Sequence, residues 1–415
     1  MKQFYQTGDQ TLLREINLST VLRYLQAGPA VSRAGLANLT GLNKTTVSSL
    51  VEELLERGLV HEIGLATSAG GRPATLLELN PQAGRIIGVE LGVDFISVIL
   101  TNLAGQLCWR RVQETDPAQP QEAIIDLALC LVNEAGQASQ AEGMRLLGLG
   151  LSVPGMVNVE SATLLFSPNL QWRNVPLGQI FAQRTGVTVL VENDANAAAL
   201  AEHFFGVARQ VQNFIFLSIG VGIGGGLFLN GNLYRGASGL AGEIGHTTSL
   251  MSNGNRPCRC GNRGCWETSS NQYALIERVR ALLDVGQSSL VTQLMAEQNS
   301  RLTLAVIAQA AGAGDAVALE ALAETGTAIG LGVANLINTF NPEMVVVGGA
   351  MSVTGDYLLP AIKEVISKRT LIETQPQIVL STFGPAASVI GAAALVVNAI
   401  LASPSRVERM AEPLG

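Results

Sequence analysis

The sequence predicts an α/β protein, an N-terminal winged helix-turn-helix followed by a two-lobed body built on a repeated β-hairpin plan. Three observations predict it. Two amphipathic helical patterns between residues 32 and 55 are separated by Thr40-Gly41-Leu42, a short turn containing glycine. Two alternating stretches, residues 59–63 and 74–79, follow as the strands of a wing. Farther along, residues 86–101 and 214–229 each read as strand, glycine turn, strand, which suggests a duplicated fold with a cleft between lobes. At 415 residues the chain is long enough for two to three domains.

Composition narrows the function classes. Hydrophobic residues make up 47% and charged residues 14%, so large cores are expected and extensive disorder is not. The net charge is -7. Residues 1–80 hold seven basic and seven acidic side chains, so the whole deficit sits in the rest of the chain. A neutral head on an acidic body argues against nonspecific nucleic-acid binding over the whole surface. The N-terminal MKQFYQTGDQ lacks an apolar signal core, and nearly apolar runs such as 389–401 are too short to span a bilayer. Of the five cysteines, three lie in metal-ligand spacing while Cys108 and Cys130 stand alone, which suits a reducing compartment. The expectation is a cytoplasmic protein with no membrane association.

In the head, residues 11–27 carry apolar positions at Leu12, Leu13, Ile16, Val21, Leu22 and Leu25, a helix with a break near Asn17. Ser32 caps a short second helix, and Asn43 caps a third with Val47, Leu50, Val51, Leu54 and Leu55 on one face. This third helix is the one to enter a major groove. Its start offers Asn43, Lys44, Thr45, Thr46, Ser48 and Ser49 to phosphates and base edges, while Glu52, Glu53 and Glu56 face away. In the wing, Gly70-Gly71-Arg72-Pro73 presents Arg72 for a narrow minor groove. A solvated Thr/Ser row on a protein-binding head is the plainer alternative. The joint occurrence of cap, turn and wing favours double-stranded DNA.

The body begins after a hinge at residues 81–84. Strands are predicted at 86–90, 96–101, 107–111 and 146–152, with a helix over 121–138. Residues 187–192 form a strand that delivers Asn193-Asp194 to a helix at 195–205, a place where α/β folds bind ligands. Asp194 taken alone is equally an N-cap. Domain boundaries follow at 1–80, 81–194 and 195–385.

The most telling stretch is GLAGEIGHTTSLMSNGNRPCRCGNRGCWE, residues 239–267. His246, Cys258, Cys260 and Cys265 make a complete His/Cys₃ set for Zn²⁺, with no coordination position left for water, so the metal is structural. Gly261 and Gly264 let the loop curl back. The metal braces neighbouring carboxylates, Glu243 and Glu267. Read blandly, the three cysteines are small buried hydrophobes, but they fall within eight polar, glycine-rich residues.

The pattern H-x11-C-x-C-G-x2-G-C-x-E, preceded by G-E-I-G-H, resembles the signature of the ROK family (repressors, open reading frames, sugar kinases). The resemblance runs from about Arg14 to Ala402. It implies the actin-like ATPase fold of hexokinases (ribonuclease-H-like), with a C-terminal helix near 386–402 completing the first lobe. It also implies a sugar held by Asn193, Asp194, Glu243, His246 and Glu267, with Val153-Pro154-Gly155 as a floor and Asn169 of SPNLQW nearby. His246 would then bind Zn²⁺ with one ring nitrogen and a sugar hydroxyl with the other.

Family kinases carry D-x-G-G-T in the first hairpin, where this chain has Glu90-Leu91-Gly92-Val93-Asp94, and G-T-G in the second, where it has Gly220-Val221-Gly222. Asp94 sets a negative charge against phosphates, and a Val methyl donates no hydrogen bond. Two losses in the nucleotide half, beside an intact sugar half, predict a non-catalytic, sugar-responsive repressor, a homodimer or dimer of dimers. The segments SPNLQW, LYRGASG and GNRGCWE resemble the xylose-repressor branch, making D-xylose the first effector to test, before glucose or an N-acetylated hexosamine. An ATP-dependent sugar kinase with a DNA-binding head is the alternative, and a protein-binding scaffold is the third reading.

Overall fold

Asp9 accepts a hydrogen bond from the Thr11 amide and starts α1 (Gln10–Ala27), which runs unbroken through Asn17. The expected break is absent because Leu18, Val21, Leu22 and Leu25 form one buried stripe, and tertiary packing supplies most of a helix's stability. The more N-terminal apolar positions, Leu12, Leu13 and Ile16, are exposed instead. After β1 (Val31–Ser32), Ser32 caps α2 (Arg33–Thr40), Gly41 turns the chain at φ 70°, and Asn43 caps α3 (Lys44–Glu56). Glu53 on α3 accepts from Arg14 Nε at 2.7 Å and from Arg57 at 2.7 Å, so it fastens α3 to α1. β2 (Val60–Leu65) and β3 (Thr75–Leu79) complete the head's sheet, in the order β1-β3-β2. This computed structural model describes residues 9–65, 74–249, 256–371 and 374–406, so Arg72 and most of the wing loop lie outside the described residues.

The chain divides into two compact units. The first is Met1–Leu151, Pro176–Val191 and Ala392–Gly415; the second is Ser152–Val175 and Glu192–Gly391. The head is grouped with the first lobe, residues 152–175 belong to the second unit, and the chain passes on into the second unit after Val191, close to the expected boundary at 194. The local contacts give the reason. Ala83 is buried, its carbonyl accepts from Arg145 Nε at 2.9 Å, and a Cβ on Gly84 would meet the Arg145 carbonyl at 2.7 Å. Residues 81–84 are thus a fastened corner, not a free hinge. Asn80 also donates to the Gly58 carbonyl at 2.8 Å.

In the first unit, β4 (Arg85–Leu91), β5 (Phe95–Thr101) and β6 (Leu107–Glu114) form an antiparallel meander. α4 (Gln121–Ala141) and β7 (Leu146–Val153) follow. In the second unit, β8 (Met156–Asn158), β9 (Thr163–Ser167) and β10 (Trp172–Val175) make a small sheet that the sequence pattern did not signal. α5 (Leu177–Thr185) and β11 (Val189–Asn193) return to the first sheet, whose order is β11-β7-β4-β5-β6.

The second unit repeats the plan. α6 (Asp194–Phe205) leads to β12 (Phe214–Ile219), β13 (Ile223–Leu229) and β14 (Asn232–Leu233). After five further helices, α7 (Glu267–Ser270), α8 (Gln272–Asp284), α9 (Leu290–Glu297), α10 (Leu304–Gly312) and α11 (Ala316–Phe340), the chain adds β15 (Met344–Gly348), α12 (Gly355–Arg369) and β16 (Gln377–Leu380). The sheet order β14-β13-β12-β15-β16 is the same third-second-first-fourth-fifth arrangement as in the first unit. β15 and β16 pair in parallel, which requires the helical crossover that α12 provides.

α13 (Ala387–Ala402) closes the chain, and Gly150 on β7 lets it approach, since a Cβ there would lie 1.7 Å from the Ala392 carbonyl oxygen. Among the described residues, two helical segments, Ala316–Phe340 and Gly384–Ala402, are long and apolar enough to cross a bilayer by length and composition, contrary to the expectation that no run is. Their apolar windows are 56% and 67% buried within the protein, as core helices are.

Candidate functional site

The predicted sugar residues all belong to the second unit, and a glycine strand brings several of them close. β13 begins Ile223-Gly224-Gly225-Gly226. A Cβ on Gly226 would lie 2.6 Å from the Ala195 carbonyl oxygen, and one on Gly225 would lie 2.5 Å from Ile244. Bare backbone therefore lets α6 approach β13 at Gly226 and the 242–244 segment approach it at Gly225. The Gly225 amide donates to the Gly242 carbonyl at 2.9 Å, and Gly242 sits at φ 99°, open only to glycine at low cost. Asp194 and Glu243 ride on these two segments.

Asn193, not Asp194, is the N-cap of α6. Its Oδ1 accepts from the Ala195 and Asn196 amides, and its Nδ2 donates to the Gly155 carbonyl at 3.0 Å. Gly155, at φ 128°, lies so close to β9 that a Cβ would stand 2.4 Å from the Phe166 carbonyl oxygen. Asn193 and Gly155 thus brace the site through each other. Asp194 occupies the first turn, half-buried, and burial pushes its carboxyl up to about 6, with the charge of Glu243 adding to the rise and the Ala195 amide opposing it. Burial, and then Glu267, also raise Glu243, against the pull of His246.

His246 ends a short 3-10 turn, Ile244–His246, and its ligand atoms gather with three thiols. One atom each from His246, Cys258, Cys260 and Cys265 lies within 4.8 Å of all the others, so the set can hold a metal ion. Ligands on a tetrahedral Zn²⁺ stand about 3.6–3.8 Å apart for S–N and S–S pairs. Cys258 Sγ lies 3.6 Å from His246 Nδ1, and Cys260 Sγ lies 3.7 Å from Cys265 Sγ, which fits. Small antiparallel bridges, Thr248 with Cys265 and Pro257 with Arg263, hold the loop. The other ring nitrogen, Nε2, faces Glu243 Oε2 at 3.8 Å, too far for a direct hydrogen bond.

Glu267 starts α7 and is anchored from behind. Trp266 is 3% exposed and donates from its indole nitrogen to the Ala328 carbonyl at 2.9 Å. Glu267 Oε1 accepts from the Cys258 thiol at 3.0 Å, and Oε2 accepts from the Ile223 amide at 3.3 Å. Burial, and then that bond to Glu267, raise the Cys258 thiol above its ordinary value.

Asn169 accepts from Arg259 at 3.4 Å and, with Glu267, Val221, Asn271 and Tyr273, lines a cavity of about 430 Å³. Asn193, Asp194, Glu243 and His246 do not line it. Of the predicted sugar set, only Asn169 and Glu267 open onto this cavity.

The loop where family kinases carry G-T-G is built into the scaffold. Asn271 donates to the Val221 carbonyl at 2.8 Å, the Gln272 amide donates to the Gly220 carbonyl at 2.9 Å, and a Cβ on Gly222 would come within 2.8 Å of Glu267. In the first hairpin the Gly92 amide donates to the Phe95 carbonyl at 2.9 Å, and the Asp94 carbonyl accepts from Thr115 at 2.8 Å.

On the head, Lys44 and Thr45 are exposed at the start of α3, and Thr46 and Ser48 are half-buried. Asn43 Oδ1 caps the Thr46 amide at 2.8 Å, and Ser49 Oγ accepts from Arg14 at 3.3 Å, so these two carry structural bonds. Sequence reasoning did not single out Glu192 or Arg235. The available signal was an acid, Glu192, at the end of an apolar strand; that it is 1% exposed only the fold shows.

Comparison with known proteins places this architecture. The ROK family model matches residues 86–399, most of the chain. The chain belongs to the ROK family. A MarR family model matches residues 19–66, within the head. Among ROK relatives, the chain is 37% identical over 399 residues to a xylose repressor of Caldicellulosiruptor bescii, covering 96% of this chain and 99% of the relative. It superimposes on a crystal structure titled as a ROK family transcriptional regulator, homolog of E. coli MLC protein, with a TM-score of 0.80, 28% identity, and coverage of 96% and 99%. A ROK glucokinase from Streptomyces griseus, solved with glucose and AMPPNP, matches with a TM-score of 0.65 at 30% identity, covering 75% of this chain and 99% of that one. The quarter of the chain that the kinase leaves unmatched is about the size of the DNA-binding head.

Proposed function

We propose that the protein is a sugar-responsive transcriptional repressor without catalytic activity. The head reads operator DNA through the exposed start of α3, and a monosaccharide bound in the second unit alters the head's affinity for that DNA. The observation that carries this reading is the gathering of Asp194, Glu243 and His246 about a glycine strand, beside a His/Cys₃ cluster, in a chain that also has a helix-turn-helix. The relative named xylose repressor supports D-xylose as the effector.

Sugar recognition requires acceptors and donors set around hydroxyls, and leaving one unpaired in a closed site costs about 1–3 kcal/mol. Asp194, Glu243 and Glu267 supply acceptors. The gap between His246 Nε2 and Glu243 suits a hydroxyl that bonds both. Asn169 lies at one margin, and Asn193 and Gly155 hold Asp194 in place. We assign Zn²⁺ to the His/Cys₃ cluster; when bound, it cross-links the loop and fixes the ring plane of His246. The polar set around Asp194 takes a sugar, while the two turns that would cradle phosphates carry Val93, Asp94 and Val221. No phosphoryl transfer is therefore expected, although the fold is shared with a glucokinase.

A dimer places two α3 helices in half-sites one helical turn or a multiple apart. The effector shifts the DNA-binding equilibrium only by its preference for one conformation, and a preference of about 10⁴ takes it from 1:99 to 99:1. Lys44→Ala is expected to weaken operator binding about equally across sequences and to lower the slope of log K against log salt by about one. Asn43→Ala instead lowers head stability by about 1 kcal/mol through the lost cap. Gel shift with the gene's own upstream DNA, with and without D-xylose, glucose or N-acetylglucosamine, tests the whole reading. A sugar-dependent shift supports it. No shift under any condition, or rapid ATP turnover with a sugar, overturns it.

A further inference from the structure

We propose that Arg235 is a positioning residue for sugar recognition, acting through the buried carboxylate of Glu192 to hold together the two segments that carry Asp194 and Glu243. This rests on the sugar-site reading above. Glu192 is the penultimate residue of β11 and is 1% exposed. Its Oε1 accepts from the Asn193 amide at 3.0 Å and from Asn196 Nδ2 at 3.1 Å, so one oxygen holds the first turn of α6. Its Oε2 accepts from Arg235 Nε at 2.8 Å and Nη2 at 2.8 Å. One carboxylate thus joins the start of α6 to the segment that follows β14.

That segment leads to Glu243. The Tyr234 amide donates to the Leu227 carbonyl at 2.7 Å, which pins the residue before Arg235 to β13. The Ala241 amide donates to the Arg235 carbonyl at 3.0 Å, closing the LYRGASG loop onto Arg235 itself. Gly242 then packs on Gly225, and Glu243 follows. Asp194 and Glu243 repel each other when charged, and without a ligand hydroxyl between them they gain by moving apart. The guanidinium fork opposes that movement from behind, since its two bonds fix orientation as well as distance. Lys in its place keeps the charge and loses the fork.

The test uses the full-length chain with Arg235→Met, Arg235→Lys and, as a control, Glu202→Gln. Glu202 is a second fully buried carboxylate of the same unit, accepting from Ser381 at 2.6 Å and Thr382 at 2.9 Å, away from the site. Calorimetric titration uses whichever of D-xylose, D-glucose or N-acetylglucosamine the wild type binds, well below every variant's Tm. Arg235→Met is expected to weaken binding by at least about tenfold, the scale of one or two lost charged hydrogen bonds. Arg235→Lys should recover part of that. Glu202→Gln should lower Tm while leaving affinity within about twofold, as for substitutions that share no partner with the site. Hydrogen exchange of the ligand-free protein should quicken in Arg235→Met at residues 193–196 and 241–246 together. Affinity of Arg235→Met within twofold of wild type, or an equal loss in Glu202→Gln, overturns the proposal. Should the wild type bind no sugar, the sugar reading itself has failed, and unchanged exchange at both segments then separately rejects the tie.

Discussion

Replacing Cys260 and Cys265 together by serine is expected to empty the metal site and to weaken sugar binding by on the order of 100-fold, since even partners outside the ligand shell change metal-site affinity or activity 10–100-fold. The route is specific. Glu267 is held independently by Trp266 in the core and by the Ile223 amide, so it stays. His246 sits on a three-residue turn, and its Nδ1 faces the thiol cluster, so its ring loses its fixed plane. The fold of both units persists, while Tm falls by roughly 2–4 °C for each kcal/mol lost in domains of this size. Elemental analysis should read about one zinc per wild-type chain and almost none in the variant, with calorimetry reporting the sugar. Full sugar affinity in a zinc-free double variant would refute the bracing role.

The second large effect is at Asp194, and it has opposite signs for stability and for binding. Burial raises this carboxyl from 3.8 to about 6. An acid with a raised folded pKa favours the folded state while protonated and loses that contribution as pH rises, here across the window between about 4 and 6. At pH 7 the ligand-free protein therefore carries a disfavoured charge. Asp194→Asn removes the charge and keeps an oxygen to accept from the Ala195 amide, so it is expected to stabilise the ligand-free protein at pH 7, by at most roughly 3 kcal/mol at 1.36 kcal/mol per pKa unit. At pH 4 the gain should vanish. Sugar affinity should instead fall about 5- to 150-fold, the equivalent of 1–3 kcal/mol for an unpaired polar group. Scanning calorimetry at both pH values and titration at pH 7 check the pair. An Asn variant that is less stable at pH 7 yet binds sugar normally would contradict both halves.

The parts of the molecule that were legible beforehand are those governed by near neighbours in the chain. The caps at Ser32 and Asn43 and the turn at Gly41 are local, because each side chain bonds a backbone group two or three residues away. The strand pairs β4–β5 and β12–β13 follow from short apolar runs separated by glycine turns. The His/Cys₃ set is legible because a metal site demands particular side chains at short spacing. The small sheet β8–β10 was not legible, since its strands are three to five residues long and lack strict alternation. Leu12, Leu13 and Ile16 belong to the apolar pattern of α1 and are exposed, because helical periodicity marks an apolar face without saying what covers it.

The sequence by itself determined the fold class, the winged head, the metal-ligand set and the loss of phosphate-binding chemistry, all written in residue type and short spacing. Only the tertiary structure decided that Asn193 rather than Asp194 caps α6, and that residues 81–84 are fastened rather than free. It alone showed that Glu192 binds Arg235, 43 positions away. The physical reason is that hydrogen bonding and burial depend on distance in space, and chain entropy leaves long-range distances open until the core closes.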